Sequence, residues 1–155
     1  MKLIPLSQNK HAQVDDSDFD LVSTYEWYCN EGYAITYHNG KRIRMHRFIL
    51  GTPAGKKTDH IDHDRLNNQR SNLRICTTQQ NNRNLRMRKD NTSGFKGVFL
   101  DKSTGHWRPL VYVDGKPQSS GQFIQKIHAA LAYDLWATFF YGQFASTNFT
   151  LVAQG

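Results

Sequence analysis

Cysteine is scarce in this sequence, with Cys29 and Cys76 the only two in 155 residues. Two thiols so far apart build neither a zinc ribbon nor a disulfide framework, so both read as reduced, partly buried side chains with no chemistry assigned. Long apolar runs are missing too. The opening MKLIPLSQNKHAQVDDSDFD has none, and no later segment approaches the length of a membrane span, which sets a membrane protein aside and leaves a soluble, intracellular chain as the expectation. Carboxylates are the third shortage: 13 Asp and Glu face 20 Lys and Arg, for a net charge of +7. Such an excess attracts polyanions whatever the fold, nucleic acid first among them. There is no heptad seam or other dimer signal, so a monomer is the expected state. A hydrophobic content of 38% supports modest cores only, and two small modules in one chain are expected.

What is present is short and punctuated. Apolar runs KLIPL, HAQV and EWYCN alternate with turn signals, and Asn39-Gly40 between YAITYH and KRIRMH predicts a hairpin, because both residues tolerate positive φ. That hairpin would deliver Arg42, Arg44 and His46 side by side. DDSDFDLVSTY predicts a short helix capped by Asp16 or Ser17 with Phe19, Leu21 and Val22 inward, and HRFILG a second one ending at Gly51. LRMRKDNTSG (85–94) reads as a basic linker or an extended arm. Beyond it, strand runs FKGVFL, HWRPLVYV and PQSSGQF, with a hairpin turn at Asp114-Gly115, precede a helix that stops at Gly142. Along that helix Ile127, Ala130, Leu131, Leu135 and Phe139 recur at helical spacing. The fold class is α+β: a β-rich region leading into a candidate site over 1–84, a linker over 85–94, and a three-stranded antiparallel sheet packed on one helix over 95–150.

The chemistry concentrates in KKTDHIDHDRLNNQRSNLRICTTQQNNRN, residues 56–84. Asp59 offers the hard anionic oxygen that Mg²⁺ prefers, and Asn amides can add neutral oxygens. In an extended segment His60 points the opposite way, suited to accept a proton from water if an acceptor on its other nitrogen fixes the tautomer. An asparagine oxygen can serve there. Asn67, Asn68 and Asn72 can also serve only to cap and turn the backbone, the role read for at least Asn67 or Asn68, and His63 reads as a loop residue, since no cysteine pair or third histidine completes a zinc site with it.

DHIDHDRLNNQRSNLRICTTQQNN resembles the HNH endonucleases, in the homing-type branch whose last motif residue is asparagine. The resemblance implies a ββα-metal fold, with Asp59 and Asn81 as metal ligands (Asn82 the rival of Asn81), His60 as general base and Asn72 as the amide orienting it. It also implies one divalent ion, Mg²⁺ by default with Mn²⁺ an alternative, and double-stranded DNA as substrate in a bacterial or phage-infected cell. SGFKGVFLDKSTGHWRPLVYVDGKPQSSGQF and AALAYDLWATFFYGQFASTNF resemble the APETALA2-type DNA-binding domain. There the expected arginines of the sheet face are replaced by Phe99, Asp101, Leu110 and Tyr112, leaving Lys96 and Arg108 as the favoured DNA contacts. Arg83, Arg86 and Arg88 extend the list through the basic stretch, and Arg42, Arg44 and His46 through the hairpin, with His46 read as either a substrate or a structural contact. Two other classes stand beside the nuclease: a catalytically silent DNA-binding protein on the same scaffold, and an RNA-binding module stacking bases on the sheet aromatics.

Overall fold

Alternation of apolar and polar residues makes the first hairpin. β1 (Lys2–Pro5) and β2 (His11–Val14) pair antiparallel from Lys2↔Val14 to Pro5↔His11, so that Ile4, Ala12 and Val14 are buried while Leu3 and His11 stay outside. The computed structural model describes residues 1–149 in two compact units, one of Met1–Asn81 and one opening at Asn82. Thr150, the last residue expected in the carboxy-terminal module, lies outside the described residues.

In the first unit, α1 (Asp16–Ser23) starts one residue earlier than expected, at an Asp15 cap. The Asp15 carboxylate makes no cap bond and instead accepts the Arg70 N–H and the Gln69 amide. Val22 is buried and Phe19 packs on the core, but Leu21 is exposed. The inward place goes to Asp18, one helical turn before Val22, because Arg70 donates two hydrogen bonds of 2.8 Å to its carboxylate. β3 (Tyr28–Asn30), β4 (Tyr33–His38) and β5 (Lys41–Arg44) form an antiparallel meander. Its β4–β5 turn is the expected one, with φ of +49° at Asn39 and +70° at Gly40. The expected second helix is α2 (Met45–Ile49), which stops two residues before the positive-φ Gly51 where its end was expected. β6 (Lys57–His60) then pairs antiparallel with β7 (Leu73–Cys76), and α3 (Thr78–Arg83) follows. The core joins Ile4, Ala12, Val14 and Val22 to Trp27, Ala34, Met45, Ile49 and Leu73.

The second unit departs from a continuous three-stranded sheet. β8 (Val98–Asp101) pairs with β9 (His106–Pro109), and β10 (Val111–Val113) with β11 (Lys116–Gln118) through the expected Asp114-Gly115 turn. The run HWRPLVYV is thus split. Pro109 has no N–H to continue a ladder, and Leu110 sends its own to the Gly97 carbonyl at 2.7 Å. α4 (Lys126–Tyr141) stops before Gly142 as expected, but with a different face inward. Ala129, Ala130, Tyr133, Asp134, Ala137 and Tyr141 are buried, whereas Ile127, Leu131, Leu135 (67% exposed) and Phe139 (81% exposed) face outward. Polar demands choose that face. The Tyr141 hydroxyl accepts the Tyr112 N–H at 2.7 Å and donates to the Tyr112 carbonyl at 3.2 Å. The Asp134 carboxylate takes the backbone N–H groups of Asn148 and Phe149. Among the described residues no helix is long and apolar enough to cross a membrane.

Candidate functional site

The loop joining β6 to β7 is knotted by its own short polar side chains. Asp62 accepts the Asp64 N–H at 2.7 Å and the amides of Asn67 and Asn72 at 2.8 Å, while Asn72 Oδ1 accepts the Asp62 N–H at 3.0 Å. Asn72 Nδ2 also reaches the Asn67 carbonyl at 2.8 Å. Such side-chain turns satisfy a loop backbone that no ladder serves. The loop is tied to β2 as well: Gln13 donates to Leu66 O and accepts from Asn68 N, both at 2.8 Å.

This weave drives Asn68, fully buried, onto His60, with Asn68 Oδ1 3.2 Å from His60 Nε2. The other end of the amide donates to the Leu66 carbonyl at 3.2 Å, which aims the oxygen at the ring. An acceptor opposite Nε2 selects the tautomer protonated there and places the lone pair on Nδ1. The amide on His60 is therefore Asn68 rather than the Asn72 that the resemblance implied, and Asn72 takes the turn-forming role that was its other reading. The strand register explains the exchange. His60 lies opposite Leu73, so Asn72 falls outside the shared face and closes the loop on Asp62 instead. Replacing the two asparagines should separate the roles. Asn68→Ala should lower kcat roughly 10–100-fold, as loss of an outer partner of a site residue does. Asn72→Ala should mainly cost stability, by about 2–3 kcal/mol for its broken hydrogen bonds, read from urea midpoints.

His60 is buried beside two more rings. His46 lies 4.8 Å away edge-on, and Tyr33 lies 5.3 Å from His46 and 6.2 Å from His60. Burial lowers the His60 pKa, opposed by the Asn68 hydrogen bond and by the charges of Asp62, Asp59 and Asp64. Burial pushes His46 down to about 3, helped by His60, Arg44 and Arg47. His46 is thus a neutral packing residue behind the candidate base, the structural contact of its two readings rather than the DNA contact. Its titration carries a sign. The folded state disfavours the protonated ring, so this stability is complete above the unfolded pKa of about 6.5 and is lost as pH falls toward 3. Thermal unfolding midpoints should drop over that window, and less steeply in His46→Phe.

Asp59 precedes His60 in β6 and lies opposite Arg74, which brings Nε and Nη2 to 3.0 and 2.7 Å from Asp59 Oδ2. Both side chains are about 10% exposed. Asn81 stands half-buried on α3, whose first turn is set by a reciprocal cap: Thr77 N–H donates to Gln80 Oε1 at 2.8 Å and Gln80 N–H to Thr77 Oγ1 at 3.1 Å. That Thr-x-x-Gln signature is readable in sequence and places the helix start. Among the described residues no group of three or more His, Cys, Asp or Glu could hold a metal. The donors that sequence reading offers, the Asp59 carboxylate and the Asn81 amide oxygen, are hard ligands of the kind Mg²⁺ or Mn²⁺ takes rather than a thiophilic ion, and in the structure Asp59 is held by Arg74. Cys76 is a buried free thiol whose pKa is raised by desolvation and then by the Asp59 carboxylate.

The remaining cations divide sharply. Arg42 is exposed and, with Ile43, Arg44, Arg47 and Phe48, lines a cavity of about 370 Å³. Arg47 is committed to the Lys56 and Thr52 carbonyls. In the second unit Arg86 and Arg88 are exposed, Arg88 paired with Asp90. Arg83 stacks on Tyr141 at 4.5 Å. Lys96, expected on DNA, turns inward: Nζ donates to the Arg83 and Leu85 carbonyls at 2.8 and 2.6 Å, and burial lowers its pKa to about 8. Arg108, the other favoured sheet contact, is half-buried and held by Asp101 at 3.3 Å. Asn68 on His60, Arg74 on Asp59, Tyr33 beside His60 and Arg65 on Tyr33 are placements that sequence reading missed, because only strand register and tertiary packing make them.

Known proteins bear on this geometry. A family model described as HNH endonuclease matches residues 48–83, the span holding Asp59, His60, Asn68 and Asn81. The chain is 41% identical over 64 residues to Protein 3.8 of Escherichia phage T7, a match covering 41% of this chain and 53% of that protein. It is 34% identical over 153 residues to an uncharacterized HNH endonuclease of Acanthamoeba polyphaga mimivirus, across 94% of this chain and 79% of the relative. No solved structure matches the chain. With a relative 34% identical across 94% of this chain and the family pattern falling on the β6–β7–α3 segment, the chain belongs to the HNH endonuclease family.

Proposed function

We propose that this protein is a metal-dependent endodeoxyribonuclease of the homing type, with β6, β7 and α3 serving as its ββα-metal motif. His60 is the general base: Nδ1 takes a proton from water as the water oxygen adds to phosphorus, and the 3′-oxygen departs, leaving 5′-phosphate and 3′-hydroxyl ends. Asn68 holds the required tautomer. Asp59 and Asn81 would hold one divalent ion, Mg²⁺ by default, which supplies Lewis-acid stabilisation of the leaving oxygen. The observation that carries the reading is the buried His60–Asn68 pair next to the Asp59 carboxylate, inside the segment that the family pattern matches. The second unit is read as an APETALA2-like module contributing duplex affinity, with Arg86 and Arg88 near it and Arg42 and Arg44 on the first unit as backbone contacts. A monomer has one such site and nicks.

The Arg74–Asp59 pair favours a second reading, a silent DNA-binding protein, since a guanidinium already neutralises the carboxylate a metal would use. Supercoiled plasmid incubated with Mg²⁺, with EDTA, and with His60→Ala protein decides between them. Cutting that needs both metal and His60 and leaves 5′-phosphate ends establishes the nuclease. Salt-sensitive binding without cutting establishes the binder.

A further inference from the structure

Two guanidiniums share one aromatic ring beside His60. Arg44, the last residue of β5, and Arg65, in the β6–β7 loop, place Cζ at 4.9 and 4.6 Å from the ring centroid of Tyr33, the first residue of β4. The same ring touches His46 and stands 6.2 Å from His60. Arg65 is further fixed by donating Nη1 to the Glu31 carbonyl at 2.9 Å. Three separate parts of the chain thus converge on Tyr33.

Among the described residues neither Arg44 nor Arg65 forms an ion pair. Asp62 and Asp64 of the same loop accept neutral donors, Asp62 the Asp64 N–H and two amides and Asp64 the Leu66 N–H, and neither carboxylate is ion-paired with Arg44 or Arg65. Two like charges held on one ring repel each other. The ring face eases each singly, and a shared anion would relieve both. Planar guanidinium forks match the oxygens of a phosphodiester, and the only polyanion that the proposed chemistry brings to His60 is DNA.

We infer that Arg44, Tyr33 and Arg65 form a clamp for one backbone phosphate of the DNA strand presented to His60, with Tyr33 as a positioning residue that holds both guanidiniums. The clamp rests on the nuclease reading for its role in cleavage, but its binding can be measured without any cutting. Arg65 and Tyr33 thereby join Arg44 as substrate-positioning groups, and the loop that orients His60 through Asn68 also supplies one arm of the clamp.

The test measures binding of a fluorescein-labelled duplex in EDTA across a KCl series, and plasmid cleavage in Mg²⁺, for Arg44→Ala, Arg65→Ala, the double variant, Tyr33→Leu, Tyr33→Phe and His60→Ala, each checked for folding by circular dichroism. Arg65→Ala alters an exposed side chain and keeps the test open if Tyr33→Leu unfolds. Each arginine variant should reduce the slope of log K against log salt by about 0.9, the signature of one phosphate released. Each should also raise KM roughly ten-fold at nearly constant kcat, the size of one charge-assisted contact. The double variant should lose no more slope than either single one, because both arms hold one phosphate. Tyr33→Phe should behave as wild type and Tyr33→Leu as the arginine variants. Unchanged slopes, slopes that add in the double variant, or a Tyr33→Phe defect equal to that of Tyr33→Leu would overturn the clamp. A wild-type protein that binds but never cuts sinks the nuclease reading instead, and the slopes still decide the clamp.

Discussion

His60→Ala should lose about 10²–10⁴-fold in plasmid cleavage, the range a positioned general base supplies, while duplex binding in EDTA and its salt slope stay at the wild-type level. The tautomer decides which nitrogen accepts the proton. Asn68 Oδ1 occupies the Nε2 side, and Leu66 O prevents the amide from presenting its nitrogen there instead. The proton-accepting nitrogen is therefore fixed before substrate arrives. Burial then lowers the pKa, so the imidazole is unprotonated at neutral pH. For a base the active form is the deprotonated one, and kcat/KM should rise with pH and level off with an apparent pKa below the usual histidine value of about 6.5. The variant should lose that acidic limb along with the rate. An acidic limb unchanged in His60→Ala would assign the base to another group. A rate loss accompanied by equal loss of binding would make His60 a packing residue.

The parts of this molecule that were legible in sequence are those whose physics is local. Asn39-Gly40 and Asp114-Gly115 make their turns because positive φ is a property of those residues themselves, and Gly142 ends α4 for the same reason. Asp59 and His60 are neighbours in any fold, so their pairing needed no tertiary knowledge. What misled depends on residues far along the chain. Asp18 displaced Leu21 from the core because Arg70, 52 positions later, arrives to pair with it. Asn68 took the place expected of Asn72 because Gln13 anchors that loop. Lys96 turned inward to reach two carbonyls, and a count of cations cannot distinguish it from the exposed Arg86. α4 is apolar nearly all round, so hydrophobic spacing marked a stripe without saying which stripe faces in. Alanines at 129, 130 and 137 allow close approach to the sheet, and Tyr141 and Asp134 need partners found only there.

Gly97→Ala should destabilise the second unit by about 3–5 kcal/mol, close to the whole stability of a small domain. Two penalties combine. Gly97 has φ of +70°, where an alanine costs roughly 1 kcal/mol. A Cβ built there would lie 2.0 Å from Tyr133 Cε2 and 2.2 Å from Cδ2, which no side chain tolerates. Tyr133 has little room to yield, being 4% exposed and packed in the core with Val98, Val111, Ala129 and Ala137. Backbone movement is opposed as well, because the Gly97 carbonyl accepts the Leu110 N–H where β9 gives way to β10. Gly94 provides the control. Its φ is +79° with nothing within 4 Å of an added Cβ, so Gly94→Ala carries only the backbone penalty. Urea denaturation of the two variants isolates the clash as their difference, and hydrogen exchange should place the loss within residues 95–149. Tyr133→Leu added to Gly97→Ala should recover part of it by removing the ring edge. Equal destabilisation by Gly94→Ala and Gly97→Ala would mean that α4 does not pack against Gly97 as described, and the sheet–helix arrangement of the second unit would have to be redrawn.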